Sequence, residues 1–152
     1  ALQCANQARC AGAGPVQVTA ALLHDLGHFL IDEHNEEGAF LKEDFLHEEV
    51  GAEYLEPFCI VAVTGPVRLH VPAKRYICTT DDAYYATLSQ ASKRSFQLQG
   101  GFMTDEEKVE FEKNPFWENA VQLRKWDDLA KKKGVETPGL ETYREAVQSC
   151  LK

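Results

Sequence analysis

The sequence predicts an all-α domain. Apolar residues recur at helical spacing, capping and stop signals divide the chain at helix-length intervals, and strand signals are nearly absent. With 152 residues the chain can build one domain with a sizeable core and is too short for two of ordinary size.

Residues 1–10 read as a helix ended by Gly12 and Gly14. Pro15 suits the first turn of a second helix, 15–30, with Val16, Val18, Ala21, Leu22, Leu26 and Phe29 on its apolar side. The acidic stretch 32–44 shows no period and reads as a loop, of a length often used for lids or substrate contacts. A third helix is expected over 46–55, stopped near Pro57. Thr64 is the expected N-cap of a fourth helix running past Tyr76, with a kink at Pro72, and 59–63 is apolar enough for a short strand. A fifth helix spans 89–99 and stops at Gly100-Gly101. Thr104 and Glu107 have the spacing of a capping box, and 115–132 and 138–151 supply the last two helices.

Composition narrows the function. A net charge of −8 argues against nucleic acid, because replacing phosphate counterions takes a cationic stripe. Basic residues pair locally at Lys74-Arg75 and Arg124-Lys125, which suits a small anion in a pocket. No apolar run approaches the ~20 residues of a membrane span, and no leader pattern is visible at the first residues. The cysteines (Cys4, Cys10, Cys59, Cys78, Cys150) are odd in number and form no Cys-x-x-Cys pair, which points to ordinary packing or surface roles and a cytoplasmic, reducing setting.

The chemistry concentrates in Leu22-Leu23-His24-Asp25-Leu26-Gly27-His28. Adjacent helix residues diverge by ~100°, so His24 and Asp25 do not both fit one apolar core. A metal-filled cavity between helices accommodates both. Imidazole with carboxylate suits zinc, iron or manganese, and a carboxylate can bridge two ions. His47, His70 and Asp127 recur on later segments as further ligand types. Spacing gives a second constellation. Lys74 stands i,i+4 from His70, Arg124 stands i,i+3 from Asp127, and Ser92, Ser95 and Gln99 share one helical face. Two cations and three small donors describe an oxyanion site beside the metals. His28, one turn after His24, is placed to hydrogen-bond a substrate or Lys74.

Several blocks extend this pattern: Phe45-Leu46-His47-Glu48-Glu49-Val50-Gly51-Ala52, His70-Val71-Pro72-Ala73-Lys74-Arg75-Tyr76, Leu98-Gln99-Gly100-Gly101-Phe102-Met103 and Arg124-Lys125-Trp126-Asp127. In order, and over nearly the whole chain, they resemble the PhnZ-type oxygenases of the HD-domain superfamily, relatives of myo-inositol oxygenase. The resemblance implies a helical HD-domain bundle around two iron ions in a mixed-valent Fe(II)/Fe(III) state, with O2 as co-substrate. It implies His24, Asp25, His47, His70 and Asp127 as iron ligands with Asp25 bridging, and His47 with His70 as what holds a second metal. It further implies a phosphonate held by Lys74, Ser92, Ser95, Gln99 and Arg124, with Asp25 and His28 at the reacting centre. The implied reaction cleaves the carbon–phosphorus bond of a 1-hydroxy-2-aminoalkylphosphonate, releasing phosphate and a carboxylic acid. Residues 1–152 then form a single HD domain whose first histidine ligand would directly precede Ala1, with His34 a remote substitute. The competing expectations are a metal-dependent phosphohydrolase on the same scaffold, an oxygenase of a polyol, and a non-enzymatic metal- or anion-binding protein.

Overall fold

The computed structural model describes residues 1–31 and 46–152. The expectations placed on the acidic stretch 32–44, including His34, lie outside the described residues. The chain folds as an all-α bundle in which α1 (Leu2–Cys10), α2 (Pro15–Leu23), α4 (His47–Leu55), α5 (Val61–Thr80) and α9 (Trp117–Leu129) surround one core, with the short α3 (Gly27–Leu30) packed on α4. Cys4, Ala8, Val18, Ala21, Ala52, Val63, Val67 and Leu123 fill that core, and Tyr143 and Cys150 close it from the C-terminal end. A smaller cluster of Ala73, Met103, Phe111 and Ala120 continues it along α5. The remaining elements are α6 (Asp82–Thr87), α7 (Gln90–Leu98), α8 (Asp105–Glu112), a 3-10 turn (Leu140–Tyr143) and α10 (Arg144–Gln148).

Local signals set several boundaries as expected. Ser89 caps α7 by accepting from the Ser92 amide. Thr104 and Glu107 form the full reciprocal capping box of α8. Gly100 (φ +104°) and Gly101 (φ +65°) turn the chain out of α7 through backbone angles that disfavour a side chain.

Three boundaries differ from the sequence reading. First, 15–30 is not one helix. After Leu23 the bonds tighten to the i−3 pattern, with Leu26 N on Leu23 O, His28 N on Asp25 O and Phe29 N on Leu26 O. Second, α5 begins at Val61 rather than at a Thr64 cap, and Thr64 is buried inside it. Cys59 instead bridges to Leu151, and Ile60 N donates to Cys150 O at 3.0 Å, so the C-terminal residues fix where α5 starts. Third, the last expected helix resolves into the 3-10 turn plus α10. As expected, α5 runs past Tyr76 with Pro72 inside it, reaching Thr80 and held by packing on α4, α2 and α9, and α6 stands as an element of its own.

Candidate metal centre and anion pocket

The tightened turn after Leu23 places the His-Asp pair. In a 3-10 turn, side chains at i and i+3 eclipse. Asp25 and His28 therefore meet, with His28 Nε2 at 3.8 Å from Asp25 Oδ1. α3 is pressed against the start of α4 because Gly27 has no side chain: a Cβ there would sit 1.8 Å from the His47 carbonyl oxygen. This contact brings His47 over Asp25. The His28 and His47 rings stack, centroids 3.8 Å apart.

Besides Thr19, Glu48 and Thr64, the buried polar side chains among the described residues are His24, His47, His70, Lys74, Arg124 and Asp127. Burying so many polar groups is costly unless they are paired or bind a ligand. Six positions singled out from sequence are therefore brought into the interior, four of them as candidate ligands.

Asp25 organises the centre. Its Oδ2 lies 3.1 Å from His24 Nε2. Its Oδ1 lies 3.9 Å from His70 Nε2 and 4.0 Å from His47 Nε2. On the first side Asp127 Oδ1 approaches His24 Nε2 at 3.5 Å. On the second, His47 Nε2 and His70 Nε2 are 3.1 Å apart. Two ligand nitrogens at right angles on one ion, each ~2.1 Å from it, would be ~3.0 Å apart. Among the described residues, the groups able to close on an ion are His24–Asp25–Asp127 and Asp25–His28–His47, which share Asp25.

The tautomers suit metal binding. His24 Nδ1 lies 2.9 Å from Ala21 O and His70 Nδ1 lies 2.7 Å from Val67 O, each the carbonyl one turn back. A carbonyl only accepts, so each Nδ1 carries the proton and a neutral ring turns an Nε2 lone pair inward. His24 Nε2 is fully buried with no hydrogen-bond partner. Burial works against charging His24, but Asp127 and Asp25 outweigh it and raise its pKa to about 9. These carboxylates therefore favour a cation at that atom. Burial and the neighbouring imidazolium charges push His47 down to about 2, and burial with His24 pushes His70 down to about 4, so both remain neutral donors. Burial would raise Asp25 and Asp127, yet their cationic surroundings hold both below the ordinary carboxylate range. The nitrogen and oxygen donor set fits iron, zinc or manganese.

The outer oxygen of Asp127 is anchored. Arg124 Nη1 reaches Oδ2 at 3.0 Å and Lys131 Nζ reaches it at 3.1 Å. Arg124 also grips Asp128 with Nε and Nη2, while its Nε lies 3.3 Å from the Tyr84 hydroxyl. Sequence reasoning missed Asp128, Lys131 and Tyr84. The first two carry a signal, standing i,i+4 from Arg124 and Asp127; Tyr84 carries none.

The anion pocket forms around Lys74, 3% exposed on α5. Its ammonium donates to Ser95 Oγ at 2.7 Å and Gln99 Oε1 at 3.1 Å, both neutral. An ammonium has three donors, and the described residues give it no third hydrogen bond. Ser95 passes its own proton to Ser92 O at 3.1 Å. The Ser92 hydroxyl is engaged with the N-cap Ser89 at 3.1 Å and is not brought to Lys74 by a hydrogen bond. His28 sits over Asp25 and His47.

Burial, with Arg124 and Lys131 adding repulsion against weaker help from Cys78 and Asp128, lowers Lys74 to about 7 from 10.5. A lowered lysine means that the unfolded chain binds more protons between those two values. Stability from this group therefore rises with pH across that window and is lowest below pH 7. Lys74→Met is expected to raise the melting temperature of the metal-free protein at pH 6.5 and to shrink that gain by pH 10. Equal shifts at both pH values, read by calorimetry, would show that Lys74 is not under this penalty.

The helical bundle with a buried His24 beside a half-buried Asp25 at its centre defines an HD-domain protein, and the HD domain family matches residues 3–74. The chain is 57% identical over 151 residues to hydroxymethylphosphonate dioxygenase of Gimesia maris, covering 99% of this chain and 75% of that protein. It is 45% identical over 134 residues to a [1-hydroxy-2-(trimethylamino)ethyl]phosphonate dioxygenase (glycine-betaine-forming) of Leisingera caerulea, covering 86% of this chain and 66% of that protein. An uncharacterised protein of Acanthamoeba polyphaga mimivirus is 33% identical over 129 residues, 84% of this chain and 58% of that one. The chain belongs to the PhnZ-type HD-domain oxygenases and is an enzyme of the oxygenase class. No helix among the described residues is long and apolar enough to cross a membrane.

Proposed function

We propose that this chain is a diiron oxygenase that uses O2 to cleave the carbon–phosphorus bond of a small 1-hydroxyphosphonate, releasing phosphate and a carboxylic acid. The observation that supports it most is Asp25, whose two oxygens face two separate sets of ligand atoms. His24, Asp25 and Asp127 would hold one ion, and Asp25, His47 and His70 the other. An iron pair bound there would supply O2 activation and the electrons for it. A further ligand upstream of Ala1 belongs to this reading. α1 packs on α2, which leads into His24, and on α9, which carries Asp127.

The chain's own residues bind and orient. Lys74, with Ser95 and Gln99 fixing its ammonium, offers a charge-assisted donor to the phosphonate. Arg124 adds a second positive group and steadies Asp127. His28, over Asp25, stands where a substrate hydroxyl near the centre would meet it. Asp25→Asn or Lys74→Met should separate these roles, the first in metal content and the second in KM.

The names of the relatives support a hydroxymethylphosphonate or a 1-hydroxy-2-aminoalkylphosphonate. The deciding experiment measures phosphate release from hydroxymethylphosphonate and from 1-hydroxy-2-aminoethylphosphonate by the iron-loaded protein, with and without O2. Release only in air, with formate from the first substrate, is the expected result. Release under nitrogen would move the assignment to hydrolysis by a metal-bound water. Silence toward both phosphonates would return the substrate to a polyol.

A further inference from the structure

Tyr84 touches both Asp128 and Arg124. It lies at the third position of α6, its amide held by the N-cap Asp81 carboxylate at 3.1 Å. Its hydroxyl donates to Asp128 Oδ2 and accepts from Arg124 Nε, reaching 44 and 40 residues along the chain. Arg124 in turn holds Asp127. One chain of hydrogen bonds and an ion pair therefore runs from α6 through Asp128 and Arg124 to the carboxylate facing His24. At its other end α6 leads into α7, which carries Ser95 and ends at its C-cap Gln99, the two groups that fix Lys74.

Charge bookkeeping shows why a neutral hydroxyl matters here. Among the described residues, Asp127 and Asp128 offset Arg124 and Lys131, while the hydrogen-bond partners of Lys74 are neutral. Asp128 occupies the Nε–Nη2 edge of the guanidinium, and Tyr84 holds Asp128 on that edge. Asp127 Oδ2 lies on Nη1, so among the described residues two of the five guanidinium donors are left for an anion. A carboxylate released from Tyr84 can slide along the guanidinium and compete with an incoming anion for those donors.

From this geometry we infer that Tyr84 is a positioning residue for anion recognition: its hydroxyl holds Asp128 on the Nε–Nη2 edge of Arg124 and so keeps the guanidinium donors that neither Asp127 nor Asp128 takes available to a phosphonate. This rests on the phosphonate reading above. It predicts that Tyr84→Phe, which keeps the ring, raises KM for the phosphonate about tenfold, as for one lost charge-assisted hydrogen bond. The fall in kcat is expected to be smaller than the rise in KM, and iron content is expected to stay at the wild-type level. The effect should depend on Asp128, so that in Asp128→Asn the same change costs much less. A merely structural tyrosine would lower melting temperature and iron content while leaving KM alone, and that result overturns the inference. Inorganic phosphate binding to the iron-loaded protein, followed by titration calorimetry, tests the same point without turnover. Weaker phosphate binding in Tyr84→Phe supports the inference, and equal affinity overturns it. Failure of the phosphonate reading would show instead in the wild-type assay.

Discussion

On the proposed diiron reading, Asp25→Ala is expected to reduce bound iron from roughly two equivalents per chain to one or fewer and to abolish turnover, because one carboxylate faces both sets of candidate ligand atoms. His24 and Asp127 retain donors on one side, and His47 and His70 on the other, but Asp25 alone presents Oδ2 to His24 and Oδ1 to the paired imidazoles. Removing it also leaves two inward-facing imidazoles 3.1 Å apart with no anion between them. Metal analysis together with Mössbauer spectroscopy gives the readout. Retention of two irons with the spectrum of a coupled pair would sink the bridging role. Asp25→Asn serves as the isosteric control, expected to fold normally and to lose the coupled pair as well.

Gly27→Ala is expected to have the second large effect, on placement rather than on chemistry. The added methyl group would meet the His47 carbonyl oxygen at 1.8 Å, a backbone atom that cannot rotate away. Relief requires α3 and α4 to separate, which moves His47 away from Asp25. Overpacking of this severity lies at the upper end of such costs, about 3 kcal/mol, or roughly 10 °C in melting temperature for a chain of this size. Iron bound on the His47–His70 side should be lost first. Gly51→Ala probes the same junction more gently, since its Cβ would stand 3.0 Å from the Gly27 nitrogen. A melting temperature within a degree or two of wild type for Gly27→Ala, with full iron content, would show that the junction tolerates a side chain.

Much of the candidate site was legible because candidate metal ligands and anion donors are residue types at fixed spacings. His70 with Lys74 and Arg124 with Asp127 lie one helical turn apart, and the helices expected around them are present. The adjacent His24 and Asp25 could be read as paired ligands because an ordinary core has no use for such a pair. Local signals were equally readable, as at Thr104 and Glu107 or at Gly100-Gly101. The reading went astray where a boundary depends on a distant partner. Thr64 looks like a cap, yet α5 starts three residues earlier because Ile60 donates to Cys150 at 3.0 Å from the far end of the chain.

By itself, then, the sequence determined the all-α class, most helices, and the residue types gathered at the centre, since each follows from periodicity or from the chemistry of a side chain. Tertiary structure decided how those groups are shared. The i−3 turn after Leu23 sets Asp25 between two ligand sets. The Gly27–His47 approach brings the second set within reach. The grip of Asp128 and Tyr84 on Arg124 decides how that guanidinium is oriented. These outcomes depend on contacts between residues tens of positions apart, which the order of residues along one helix does not encode.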